Sequence, residues 1–178
     1  MATLKQVPSA VQRLLGNMCY GKMGAAIANI AAAKIDALTA VVATVGGIMV
    51  TVAAQDELVI AALAAANLPA ASGANYVQPS GLTGFYVQPA NTTVYYVFGV
   101  IAAGTVLCVQ GTYDGQQISP IGYTALGKSV IPDVPDGFTP LFVMKVASGG
   151  ATFTPATTAL TGIATFRDVG VLPVDSTF

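Results

Sequence analysis

Residues 37–54, ALTAVVATVGGIMVTVAA, run for eighteen positions without a charge. The structure of this window decides what kind of protein the chain makes. Eighteen apolar residues is about the least that spans a bilayer as a helix, and the same letters also form two strands about a Gly-Gly turn. If Gly46-Gly47 is a two-residue turn, Val45 faces Ile48, Ala43 faces Val50 and Val41 faces Val52 on one side. The other side carries Thr44 with Met49, Val42 with Thr51, and Ala40 with Ala53. One face is wholly apolar and the other mixed, the pattern of a sheet with one side on a core. Glycines accept the positive φ that such a turn requires. Val, Ile and Thr fill half the window, and their stiff χ1 suits strands. Lys22 and Lys34 before the window and Asp56-Glu57 after it are compatible with a spanning helix. The hairpin is the favoured reading because it accounts for the register as well as the hydropathy.

Composition narrows the function classes. Only 8% of the 178 residues are charged and the net charge is −1, against about 25% charged in typical soluble domains. No basic excess exists to neutralise phosphates, so a nucleic-acid partner is not expected. With so few charges, the surface consists largely of Thr, Ser, Gln, Asn, Gly and small apolar groups. Little charge repulsion then opposes association, which suits a subunit that buries much of its exterior against neighbours. The alternative is a neutral secreted domain. The absence of histidine removes His-based triads, Cys–His dyads and imidazole metal sites. Cys108 lies in a strand-like run where a free thiol behaves as a small hydrophobe, and pairing with Cys19 is left open. The start, MATLKQVPSAVQRLLGNMCYGK, lacks the continuous apolar region of a signal peptide. Synthesis in the cytoplasm is the expectation.

Along the chain, residues 1–24 read as an arm and 25–178 as a β-domain. Ser9 can cap a short helix whose Val11, Leu14, Leu15 and Met18 share one side. A helix this short is marginal alone, so these four residues are the candidate assembly contact. Removing 1–24 is expected to leave the β-domain folded. Residues 27–35 are expected to form one strand. Residues 56–75 are ambiguous: Asp56 is a helix N-cap candidate, and the favoured alternative is a short strand followed by a loop. Tyr76-Val-Gln-Pro79 and Tyr86-Val-Gln-Pro89 form a two-copy repeat, read as edge-strand segments or as a carbohydrate-contacting pair of tyrosines. Strong strand signals follow at 93–101 and 105–110 around a turn at 102–104. Further strand signals lie at 141–146 and 151–154 around Ser148-Gly149-Gly150, then at 163–167 and 169–172. Short strands with turns about every ten residues give the expected fold: mainly β, an antiparallel β-sandwich or jelly-roll-like domain with a short, partly helical N-terminal arm.

Motifs that could carry chemistry are few. Residues 122–129, GYTALGKS, fit G-x-x-x-x-G-K-[ST], in which Lys128 would reach phosphates and Ser129 would hold magnesium. That motif needs a strand before it and a helix after it. Pro132 and Pro135 follow too closely for the helix, so the match reads as coincidental. Asp133 and Asp136 sit in a Pro-rich turn, where Asp most often bonds its own backbone. Asn91-Thr92-Thr93 is a glycosylation sequon. No catalytic residue, cofactor site or metal site is expected.

Several patterns are similar to small β-rich virion proteins of tailed bacteriophages, the head-decoration and head-fibre kind. These are Ile131-Pro-Asp-Val-Pro-Asp-Gly137, Pro140 with Lys145-Val146, Phe153-Thr-Pro-Ala-Thr-Thr-Ala-Leu160, and Asp168-Val169 with Leu172-Pro173. The hairpin Val45-Gly-Gly-Ile48 and the Gly104 and Gly111 turns add to the likeness, which covers roughly residues 35–173. The resemblance implies a non-enzymatic β-protein on the capsid exterior, with the major capsid protein as partner, often as a homotrimer. The alternatives are a tail or fibre adhesin and a free ligand-binding β-module.

Overall fold

The computed structural model describes residues 16–28, 33–60, 87–114, 117–118, 125–126, 129–132, 134 and 137–169. Among these the chain is mainly β, with antiparallel pairing throughout. The strands are β1 (Cys19–Tyr20), β2 (Ala25–Ile27), β3 (Lys34–Ala37), β4 (Val41–Val45), β5 (Ile48–Val52), β6 (Gln55–Val59), β7 (Thr93–Ile101), β8 (Val106–Gln110), β9 (Gln117–Ile118), β10 (Ala125–Leu126), β11 (Phe138–Ala147) and β12 (Ala164–Asp168). They assemble as β1-β4-β5, β2-β3-β6, β12-β11-β7-β8 and the small pair β10-β9.

The uncharged window is the β4–β5 hairpin. Its register is Val41↔Val52, Val42↔Thr51, Ala43↔Val50, Thr44↔Met49 and Val45↔Ile48, as the alternation predicts. Gly46 and Gly47 have φ of 59° and 84°, the two positive values that a two-residue type I′ turn needs. The spanning-helix alternative is therefore overturned: the window is two strands and a turn. No helix among the described residues is long and apolar enough to cross a membrane.

The four-stranded sheet buries apolar residues on both faces because strand alternation sends neighbours to opposite sides. Val94, Tyr96, Phe98 and Val100 of β7 enter the main core with Cys108, Phe142, Met144 and Val146. Val97 enters a second cluster with Val109, Phe138 and Val143 on the other face. Phe98 and Phe142, paired across β7 and β11, stack with centroids 4.6 Å apart. The inner residues of β4, Val41, Ala43 and Val45, join the same main core, so the hairpin packs against β7 and β11.

Three expectations about the strands need correction. β11 starts at Phe138 and runs through Pro140, three residues earlier than the apolar run suggests. A bulge between Pro140 and Phe142 accommodates this, since a proline cannot donate to a regular ladder. The bulge also puts both Leu141 and Phe142 in the main core. Residues 151–154 do not return along β11. Its neighbours are β7 and β12, and Phe153 instead bridges Gln88. Residues 27–35 are not one strand: β2 and β3 pair with each other, Ile27 opposite Ile35.

Asp56 lies inside β6, the short strand favoured over a helix cap. The register of β3 against β6 shifts between Ile35 and Ala37, Glu57 adopts φ 50°, and the Asp36 carboxylate accepts from the Glu57 amide at 3.1 Å. Residues 61–75, the rest of the ambiguous segment, lie outside the described residues.

The closest backbone approach in the sheet is at Gly99. A Cβ there would lie 2.3 Å from the Phe138 ring and 2.5 Å from the Thr139 carbonyl oxygen. At Gly46 a Cβ would meet nothing within 4 Å, and only the positive φ opposes it. Gly99→Ala should therefore cost about 3 kcal/mol through overpacking, and Gly46→Ala about 1–2 kcal/mol through left-handed strain. Urea unfolding of the two variants checks this ordering.

Candidate functional site

Most of the buried polar chemistry within the described residues holds strands together. Thr44 shows this on three sides. Its amide donates to the Met18 carbonyl at 2.7 Å, its hydroxyl accepts from the Met18 amide at 3.0 Å, and its carbonyl accepts from the buried Thr139 hydroxyl at 2.6 Å. The last bond ties the β1-β4-β5 sheet to β11. At the hairpin turn, Gly47 donates to the Gly16 carbonyl at 2.8 Å and Gly46 to Asn17 Oδ1 at 2.8 Å. A second joint links 88–92 to the turn after β11. Gln88 Nε2 donates to the Thr92 and Val146 carbonyls at 2.9 and 3.1 Å. Ser148 Oγ accepts from the Thr92 amide at 3.1 Å and donates to the Pro89 carbonyl at 2.6 Å. Gln88 Oε1 is buried without a hydrogen-bond partner among the described residues. The third joint is Asp168, whose carboxylate accepts from the Met23 and Gly24 amides at 3.1 and 3.2 Å, fastening β12 to the chain before β2.

Of the four residues expected to form an assembly contact, Val11, Leu14 and Leu15 lie outside the described residues. Met18 is half-buried and belongs to the sheet through its two bonds to Thr44. Met23 is fully buried in the core and β1 pairs with β4. A deletion that spares the fold must therefore stop before Gly16, not at residue 24. Tyr76 and Tyr86 lie outside the described residues, while Gln88 of the second repeat copy is consumed in its joint. Within 122–129, Ala125 and Leu126 pair with Ile118 and Gln117 as a short strand. The Ser129 hydroxyl donates to the Thr93 carbonyl at 2.9 Å, and its amide donates to Asp114 at 2.8 Å. That is strand and turn structure, and Ser129 makes protein contacts. Asp133 and Asp136 lie outside the described residues. Among the described residues no group of three or more His, Cys, Asp or Glu side chains is placed to hold a metal ion. The Asn91 sequon sits in a turn at φ 57°, its amide bonded to the Gly149 carbonyl.

The exposed feature that alternation did not reveal is the hairpin tip. Ile48 and Met49 are 63% and 72% exposed, although Ile48 belongs to the apolar face expected to point inward. The hairpin outruns its core: Val45 is buried while Ile48 opposite it is not. Tyr20 and Leu38 are also exposed, at β1 and in the β3–β4 connection. On the outer face of β1-β4-β5 the strand register lines up Tyr20, Val42 and Thr51, with Thr44 opposite Met49 beside them. None of these carries a charge. Compared with protein-family models, with curated proteins and with solved structures, the chain matches none.

Cys19 and Cys108 are both buried free thiols, which answers the disulfide alternative. Burial pushes the Cys108 thiol well above its ordinary value. Cys19 is raised first by burial and second by the nearby Asp168 carboxylate. Alkylation at pH 8 should therefore be far slower than for a free cysteine at Cys19 and undetectable at Cys108 until the protein unfolds. The folded protein holds the Cys108 proton more tightly than the unfolded chain. Stability is accordingly whole below the ordinary thiol range, about 8.5, and declines as pH rises through it and on toward the folded-state value. Mass-spectrometric labelling, with Asp168→Asn expected to speed reaction at Cys19 alone, checks both assignments.

Proposed function

We propose that this chain is a non-enzymatic virion structural protein that decorates and stabilises the head of a tailed phage, docking on the major capsid protein from outside. In this reading β1-β4-β5 and β12-β11-β7-β8 are the two layers of a sandwich. The observation that carries the proposal is the firmly braced, uncharged hairpin tip with Ile48 and Met49 in solvent, on a chain with only 8% charged residues. Exposed apolar side chains on a braced tip mark an interaction surface more than a fold requirement. Burying each is worth about 1.5–3 kcal/mol, and repetition over many copies would strengthen a shell whose single contacts are modest. The likeness to head-decoration and head-fibre proteins supports the same reading, together with the homo-oligomer, often a trimer, that it implies.

The test is to add purified protein to expanded empty capsids and to host cells, and to locate bound copies by electron microscopy. Density on the head exterior is expected, with affinity lowered at least tenfold by the double variant Ile48→Ser/Met49→Ser and also reduced by deleting residues 1–15. Adsorption to cells without capsid binding would replace the proposal with the adhesin alternative, and binding to neither would leave a free ligand-binding module.

A further inference from the structure

The free edge of β5 has a geometry that specifies its partner. In the β1-β4-β5 sheet, β4 lies between the other two strands, so β5 has a neighbour on one side only among the described residues. The Thr44 amide is directed at β1, where it bonds the Met18 carbonyl. Thr44↔Met49 is therefore a non-hydrogen-bonded pair of the β4–β5 ladder, and so is Val42↔Thr51, two residues on. The amides and carbonyls of Met49 and Thr51 consequently point away from β4, along an edge where both residues are exposed. Edge strands are usually protected by a charge, a proline or a bulge. The sequence of β5, IMVTV, contains neither a charge nor a proline, and its register with β4 is unbroken.

We infer that β5 pairs antiparallel with β5 of a second copy of this chain about a twofold axis at Val50. Among the registers that pair outward residues with each other, one overlaps all five residues of β5. With Val50 opposite the second copy's Val50, each Met49 faces the other copy's Thr51. These are the residues whose amides and carbonyls take no strand partner among the described residues, so each such pair exchanges both backbone hydrogen bonds. The same register brings Ile48 of each copy beside Val52 of the other, giving the exposed tip residue an apolar neighbour. No charge on either strand opposes the approach. The β7–β8 turn, where a Cβ at Gly104 would lie 3.7 Å from Val50 Cγ1, approaches the Val50 side chain rather than the outward backbone groups of Met49 and Thr51. A five-residue strand pairing buries less than the roughly 1,000 Å² expected of a stable interface. The free dimer is therefore weak and concentration-dependent. The inference does not rest on the capsid reading, and its twofold symmetry differs from the threefold that the resemblance implies.

Sedimentation equilibrium of the full chain from about 1 µM to about 1 mM tests it. A monomer–dimer equilibrium is expected. Thr51→Lys and Thr51→Glu should each weaken it at least tenfold, because the twofold brings the two like charges together. Mixing the two variants should restore association. Thr51 is exposed and its amide is not used by β4, so circular dichroism should show both variants folded. A monomer at every concentration overturns the inference. So does a dimer indifferent to both Thr51 variants, or a trimer as the smallest associated species.

Discussion

Strand β4 has hydrogen-bonded partners on both edges and a core on one face, and the arrangement of the described residues depends on that position. Its side toward β5 sets the hairpin register. Its other side takes Gly16 to Tyr20 through pairing with β1 and the Met18 and turn contacts. Val41, Ala43 and Val45 supply its share of the main core, and the Thr44 carbonyl receives the Thr139 hydroxyl from the other large sheet. A buried carbonyl deprived of that donor would lose a bond and stay desolvated, a cost of about 1–3 kcal/mol. Few charges are available to hold this chain together. The ion pair Lys34–Glu57 is partly exposed, and pairs of that kind contribute about 0–1 kcal/mol. Cohesion comes from apolar packing and backbone pairing.

Legibility in the sequence followed the range of the interactions. The β4–β5 and β7–β8 hairpins could be read because period-two alternation and glycine turns are local signals. Where pairing is long-range, local signals failed. Residues 148–150 look like a hairpin turn, yet β11 takes β7 and β12 as neighbours and Phe153 goes to Gln88. Pro140 looks like a strand boundary, and a bulge carries the strand through it. Asp56-Glu57 falls in the strand favoured for it, but the bulge it fills opposite Asp36 has no local signal. Nothing local to those residues announces a partner 20 or more positions away, as Asp36 and Glu57 are.

The exposed surface was the least legible part. Alternation assigns Ile48 to the buried face, but burial depends on how far the opposing layer extends, and here the hairpin projects past it. The same geometry leaves Met49 and Thr51 with outward amides. Composition gave a general reason to expect association, and the fold places an uncharged tip and an unprotected edge on one hairpin. Residues 16–24, which read as part of an arm, turn out to be sheet and core.

Residue-resolved amide hydrogen exchange on the dilute chain tests the hairpin register, on which both the core packing and the exposed edge depend. The account predicts alternation along β5: slow exchange at Ile48, Val50 and Val52, whose amides pair with β4, and fast exchange at Met49 and Thr51. Slow exchange at Met49 and Thr51 with fast exchange at Val50 would mean a register one residue out. Uniform protection from 37 to 54 would mean a continuous helix, and either result would contradict the account.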